Sequence, residues 1–95
     1  MTRKNIVSIE LSDIASSTQL QQVLSDALEF PGWYGNNWNA FWDAITGLVD
    51  MPEQLQLIGW GLFVERFPFD ARMMAECLDD MSKKLPATAA RVEYI

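Results

Sequence analysis

Two periodicities take turns along this chain, and their alternation constrains the fold more than any other feature. Ile6-Val7-Ser8-Ile9-Glu10-Leu11 places Val7, Ile9 and Leu11 at every second position among β-branched residues, the pattern of a strand buried on one face. Ser16 and Gln19 form a capping box, after which Leu20, Val23, Leu24, Ala27 and Leu28 recur at helical spacing up to Pro31-Gly32. The turn formers of residues 31–36 lead into a second helix from Asn37 to Leu48, capped by Asn36 or Asn37. Alternation returns from Gln54 to Trp60 after the Pro52 break, and a short helical turn follows between Gly61 and Phe67. Asp70 then reads as the N-cap of a last long helix with Met74, Cys77, Leu78, Met81 and Leu85 on one face. Lys83 and Lys84 sit at the negative end of that helix, with Pro86 beyond. Ala90 to Ile95 alternates once more and closes the chain as a strand. Helical crossovers between successive strands predict an α/β fold, a small parallel sheet packed by helices.

At 95 residues the chain makes one domain, 1–95, with a modest core. No apolar run approaches the ~20 residues a bilayer span needs. The Met1-Thr2-Arg3-Lys4 start leads into an apolar patch already broken by Ser8 and Glu10, so a cytoplasmic protein that does not contact membrane is expected. A single cysteine, Cys77, and the absence of histidine remove an internal disulfide, the common zinc ligand sets and the Ser-His and Cys-His nucleophile pairs. Cys77 falls on the apolar side of the last helix, where a free thiol behaves as a small hydrophobe. No enzymatic activity, metal or cofactor is therefore expected.

Charge is unevenly distributed. All seven Lys and Arg lie in residues 1–4 or 66–95, whereas residues 5–65 carry eight carboxylates and no basic side chain. Binding to a phosphate backbone works through Lys and Arg that release counterions, so this field argues against direct nucleic-acid binding. A basic protein partner fits it, although a net charge of −6 also serves solubility alone.

The second helix carries the most information. At 100° per residue, Trp38, Phe41, Trp42, Ile45, Leu48 and Val49 spread over a broad apolar side, with Trp42 at its border. Asn39, Asp43 and Thr46 fall in a narrow polar stripe that Asp50 would extend. Such a stripe can be an ordinary solvated face. Its neighbours point elsewhere, because Trp33 and Tyr34 put two large aromatics on a turn, and aromatic anchors are enriched at interfaces. Gly35 and Gly47 bracket the helix and would admit another backbone.

The run Trp33-Tyr34-Gly35-Asn36-Asn37-Trp38-Asn39-Ala40-Phe41-Trp42-Asp43-Ala44-Ile45-Thr46-Gly47 resembles the signature of the barstar family, intracellular inhibitors of the ribonuclease barnase. Tyr34-Gly35-x-Asn37, Ala40-x-Trp42-Asp43 and Thr46-Gly47 match without a gap, and the order of strands and helices agrees from end to end. The resemblance implies a three-stranded parallel sheet with about three to four helices. It also implies a binding surface made of Trp33, Gly35, Asn37, Asn39, Trp42, Asp43, Thr46 and Gly47, together with an acidic residue late in the last long helix. Loose alignment selects Asp80 for that role, with Asp79 the alternative. Asp79 with Lys83 and Asp80 with Lys84 are also i,i+4 pairs of the kind that merely decorate a helix.

Three departures separate the chain from that pattern. Asn39 stands where barstar has an aspartate, Leu48 replaces a tryptophan, and Trp33 replaces a tyrosine. They imply a target pocket unlike barnase's. The function expected from the resemblance is that of an immunity protein that binds a basic ribonuclease toxin one to one and occludes its active site. The alternative is a non-enzymatic regulatory module that binds another basic host protein through the same patch.

Overall fold

A computed structural model describes residues 3–95. Residues 1 and 2 of the expected domain lie outside the described residues. Strands β1 (Ile6–Glu10), β2 (Gln54–Ile58) and β3 (Arg91–Tyr94) form one parallel sheet in the order β1-β2-β3. Right-handed crossovers between neighbours taken in sequence place every connecting helix on the same face, so the other face is left to solvent. Its middle row is polar. Ser8, Gln56 and Glu93 align across the three strands, and Ser8 Oγ donates to Gln56 Oε1 at 2.7 Å while Gln56 Nε2 donates to Glu93 Oε1 at 3.3 Å. The inner rows are Val7-Leu55-Val92 and Ile9-Leu57-Tyr94, with Ile9, Leu55 and Leu57 buried.

Helix α1 (Ser17–Leu28) starts as the capping box requires, since Ser16 Oγ accepts from Gln19 N at 3.1 Å. Gln19 Oε1 in turn accepts from Ala15 N, one residue earlier than the standard box. The helix ends three residues before Pro31, with Glu29 left-handed at φ 60°. Strand β2 stops at Ile58 and does not reach Trp60. Gly59 has φ 78°, and a Cβ there would lie 3.0 Å from the Ser12 backbone nitrogen, so only glycine fits this turn. Trp60 opens α3 (Trp60–Arg66), the short turn expected from Gly61.

The longest helix, α4 (Pro68–Lys84), starts before Asp70, with Pro68 at its first position and no side-chain cap bond. Asp70 is therefore not the N-cap. Its carboxylate is buried and turned toward two other helices. Leu85 lies past the helix end and is exposed, which corrects its expected place on the apolar face, whereas Met74, Leu78 and Met81 are in the core. The final strand is trimmed to residues 91–94, and Ala90 is buried beside it. At this same end of the sheet, Arg3 donates to the carbonyls of Met51, Pro52 and Ala89, tying its own segment to the loops before β2 and β3.

Candidate functional site

The second helix is two structures in one. Asn37 rather than Asn36 caps it, with Oδ1 accepting from Ala40 N at 2.7 Å and Nδ2 donating to Gly35 O at 3.1 Å. Asn36 takes the left-handed conformation instead, φ 52°, and turns the loop. The α-helical part, α2 (Trp38–Asp43), then widens into a π turn over Ala44–Leu48, where Val49 N donates to Ala44 O at 3.2 Å. Thr46 Oγ1 donates to Trp42 O at 2.7 Å across the junction.

The wider turn breaks the 100° periodicity. Phe41 and Ile45 are in the core as expected, and Trp38 and Trp42 are half-buried. Leu48 is instead 44% exposed, so it leaves the apolar side assigned to it. Asp50 lies beyond the helix and does not extend the stripe. A Cβ on Gly47 would meet nothing within 4 Å, so packing inside the chain does not explain this glycine.

The two aromatics of the preceding loop separate. Trp33 is 73% exposed, an indole held out in solvent. Tyr34 is buried against Phe30, ring centroids 4.7 Å apart, and its hydroxyl donates to Gln21 Oε1 at 2.5 Å. Burial, with a smaller contribution from Cys77, pushes the Tyr34 phenol up to about 12. Tyr34 thus anchors the loop and Trp33 projects from it. Gly35 sits between them and the cap, and an added Cβ would press on Ala40 Cβ and Asn37 Nδ2 at 3.3 Å.

Asn39, Trp42, Asp43 and Asp80 line one open cleft of about 410 Å³ between α2 and α4. Its remaining walls are Trp38, Met73, Glu76 and Cys77. Thr46 and Gly47 border a second groove of about 620 Å³ at the π end of the helix, shared with Leu48. The stripe therefore runs between two concavities. Asp79 turns away from the cleft and pairs with Lys83 at 3.0 Å, whereas Asp80 makes no ion pair among the described residues. Lys84 swings over the Trp42 ring, 5.6 Å from its centroid, instead of pairing with Asp80.

Two residues of the cleft, Met73 and Glu76, escaped the sequence reading. Glu76 adds a third carboxylate to Asp43 and Asp80. A signal for it existed, since Glu76 and Asp80 form an i,i+4 pair of like charge that weakens a helix unless it serves something else. Cys77 is half-buried in the cleft wall and not enclosed in the core. Burial first, and then Asp80 and Glu76, push its thiol pKa up, which slows its reaction with electrophiles.

The family profile described as "Barstar (barnase inhibitor)" matches residues 4–94. The chain belongs to the barstar family. It is also 33% identical over 75 residues to a Bacillus subtilis (strain 168) protein named "Putative ribonuclease inhibitor YrdF", an alignment covering 79% of this chain and 75% of that one. The three-stranded parallel sheet and the four helices among the described residues agree with the barstar-like architecture expected from the sequence. No helix among the described residues is long and apolar enough to cross a membrane.

Proposed function

We propose that this chain inhibits a basic bacterial ribonuclease by laying α2, the loop before it and the facing side of α4 into the enzyme's active site. The observation that carries the reading is the cleft in which Asp43 and Asp80 come from two different helices, both exposed and without an ion pair among the described residues. A ribonuclease site is cationic because it holds a phosphodiester and stabilises its charged transition state. Carboxylates on a rigid scaffold can occupy that site without offering a bond to cleave. Asp43 is the phosphate mimic, accepting charge-assisted hydrogen bonds from an Arg, Lys or His of the enzyme. Asn39 keeps a hydrogen bond and gives up a charge, and Glu76 returns a charge from the opposite wall.

Trp33 supplies the exposed aromatic anchor, and Gly35, Asn37, Thr46 and Gly47 complete the surface. The acidic field of residues 5–65 speeds encounter with the basic enzyme, an effect for which barnase and barstar are themselves the reference case. In a producing cell such an inhibitor acts in the cytoplasm as an immunity protein against its own toxin. The test is a pull-down with this chain as bait in cells that encode it, followed by RNA cleavage assays of the captured protein. A basic ribonuclease, bound one to one and silenced by the chain, is expected. Capture of a basic protein without nuclease activity would replace this reading with the regulatory one.

A further inference from the structure

The first turns of three helices meet at one buried carboxylate. Asp70, third residue of α4, is 8% exposed and accepts from two donors, Ser17 Oγ at 2.5 Å and Trp38 Nε1 at 3.0 Å. Ser17 is the first residue of α1 and Trp38 the first of α2. A buried carboxylate is expensive unless each oxygen is hydrogen-bonded, and here one oxygen goes to each neighbouring helix. It caps nothing in its own helix, whose first turn has no side-chain bond to its backbone. The carboxylate acts between helices.

The placement of Trp38 links this bond to the cleft. The indole lines the cleft beside Asn39 and Asp43, and it packs edge-on against the core residue Phe41 with centroids 5.2 Å apart. Helices α2 and α4 are the two walls of that cleft, so the Trp38–Asp70 bond joins the walls at one end. We infer that Asp70 is a positioning residue, which through Trp38 sets the separation of α2 and α4 and presents Asp43 opposite Asp80. Its worth to binding is preorganisation, since a cleft already at its working width has no ordering cost on encounter. That functional half rests on the inhibitory reading; the positional half does not.

Cys77 reports the width of the cleft from within its wall, because its thiol is half-buried there. The experiment compares Trp38→Phe, Asp70→Ala and the double variant, each as the full chain. It measures alkylation of Cys77 by iodoacetamide and amide exchange of residues 38–48, beside urea unfolding. Trp38→Phe removes the donor while keeping the ring stack, so it serves even if Asp70→Ala folds poorly. Both single variants are expected to speed Cys77 alkylation and α2 exchange by about tenfold. The double should add little to Asp70→Ala, which already removes the acceptor of the Trp38 bond, and sheet amides should exchange at wild-type rates. Alkylation that rises only in step with global unfolding, or is unchanged in Trp38→Phe, would overturn the inference and leave Asp70 a fold-stabilising residue. Inhibition by Asp43→Ala at wild-type strength would sink the inhibitory reading without touching this result.

Discussion

The protein has two polar faces, and they treat their side chains in opposite ways. On the outer face of the sheet Ser8, Gln56 and Glu93 hydrogen-bond to one another across the strands, and Arg91 Nη2 donates to Gln54 Oε1 at 2.8 Å. Donors and acceptors there are satisfied from within. Around the α2–α4 cleft, Asp43, Glu76 and Asp80 gather three carboxylates with no ion pair among the described residues, while Trp33 projects from the neighbouring loop. Like charges held together cost stability in the free protein, and a partner that supplies cations removes that cost. A polar surface that satisfies itself reads as solvated structure; one that does not reads as a binding site.

Asp43→Ala should break the comparison most strongly. It removes a charge from the centre of the stripe and leaves a buried cation of the enzyme without a partner, so the loss in affinity should be at least about 2 kcal/mol. An exposed carboxylate contributes little to the core, and urea unfolding should stay within about 0.5 kcal/mol of wild type. Unchanged inhibition would move the binding surface off this helix.

The two adjacent aromatics sharpen the contrast between anchoring and contact. Trp33→Ala should weaken inhibition by about 1–2 kcal/mol with no measurable change in stability, since the indole is held in solvent. Tyr34→Phe should do the reverse, costing about 1 kcal/mol of stability because it leaves buried Gln21 Oε1 without its donor. Equilibrium unfolding and inhibition titrations on both variants separate the roles.

These pairs mark how far the sequence alone could be read. Alternation and helical spacing gave the sheet and the long helices, because periodicity records which face is buried. The stripe of Asn39 and Asp43 was equally legible. The parting of Trp33 from Tyr34 was not, since both are aromatic and only the Gln21 partner decides which turns inward. Nor was the π turn, which inserts a wider ring after Asp43 and rotates Leu48 outward with no residue type to announce it. Asp70 misled for a physical reason, as an acidic residue in a first turn serves a helix end well and its distant partners Ser17 and Trp38 leave no local trace.

On the facing helix the contrast is finer. Asp80→Asn and Glu76→Gln should each slow association a few-fold at low salt and leave dissociation nearly unchanged, because exposed charges at the rim act mainly on encounter. Asp79→Asn, next in sequence but paired with Lys83, should have no such effect. Stopped-flow rates across a salt series decide the matter. Equal effects at Asp79 and Asp80 would mean that net charge, and not the geometry of the cleft, steers the partner.

The smallest effect belongs to the self-satisfied face. Gln56 is the middle of the ladder, accepting from Ser8 and donating to Glu93, so Gln56→Ala removes both bonds at once. Ser8 is exposed and Glu93 half-buried, and water can replace much of what each loses. Stability should therefore fall by only about 0.5–1 kcal/mol. Inhibition should not change, since this face lies on the side of the sheet away from the helices and none of its three residues borders the cleft. A loss of affinity in Gln56→Ala at unchanged stability would mean that the partner also touches the sheet, and that satisfied hydrogen bonding is no guide to which polar face of this fold is silent.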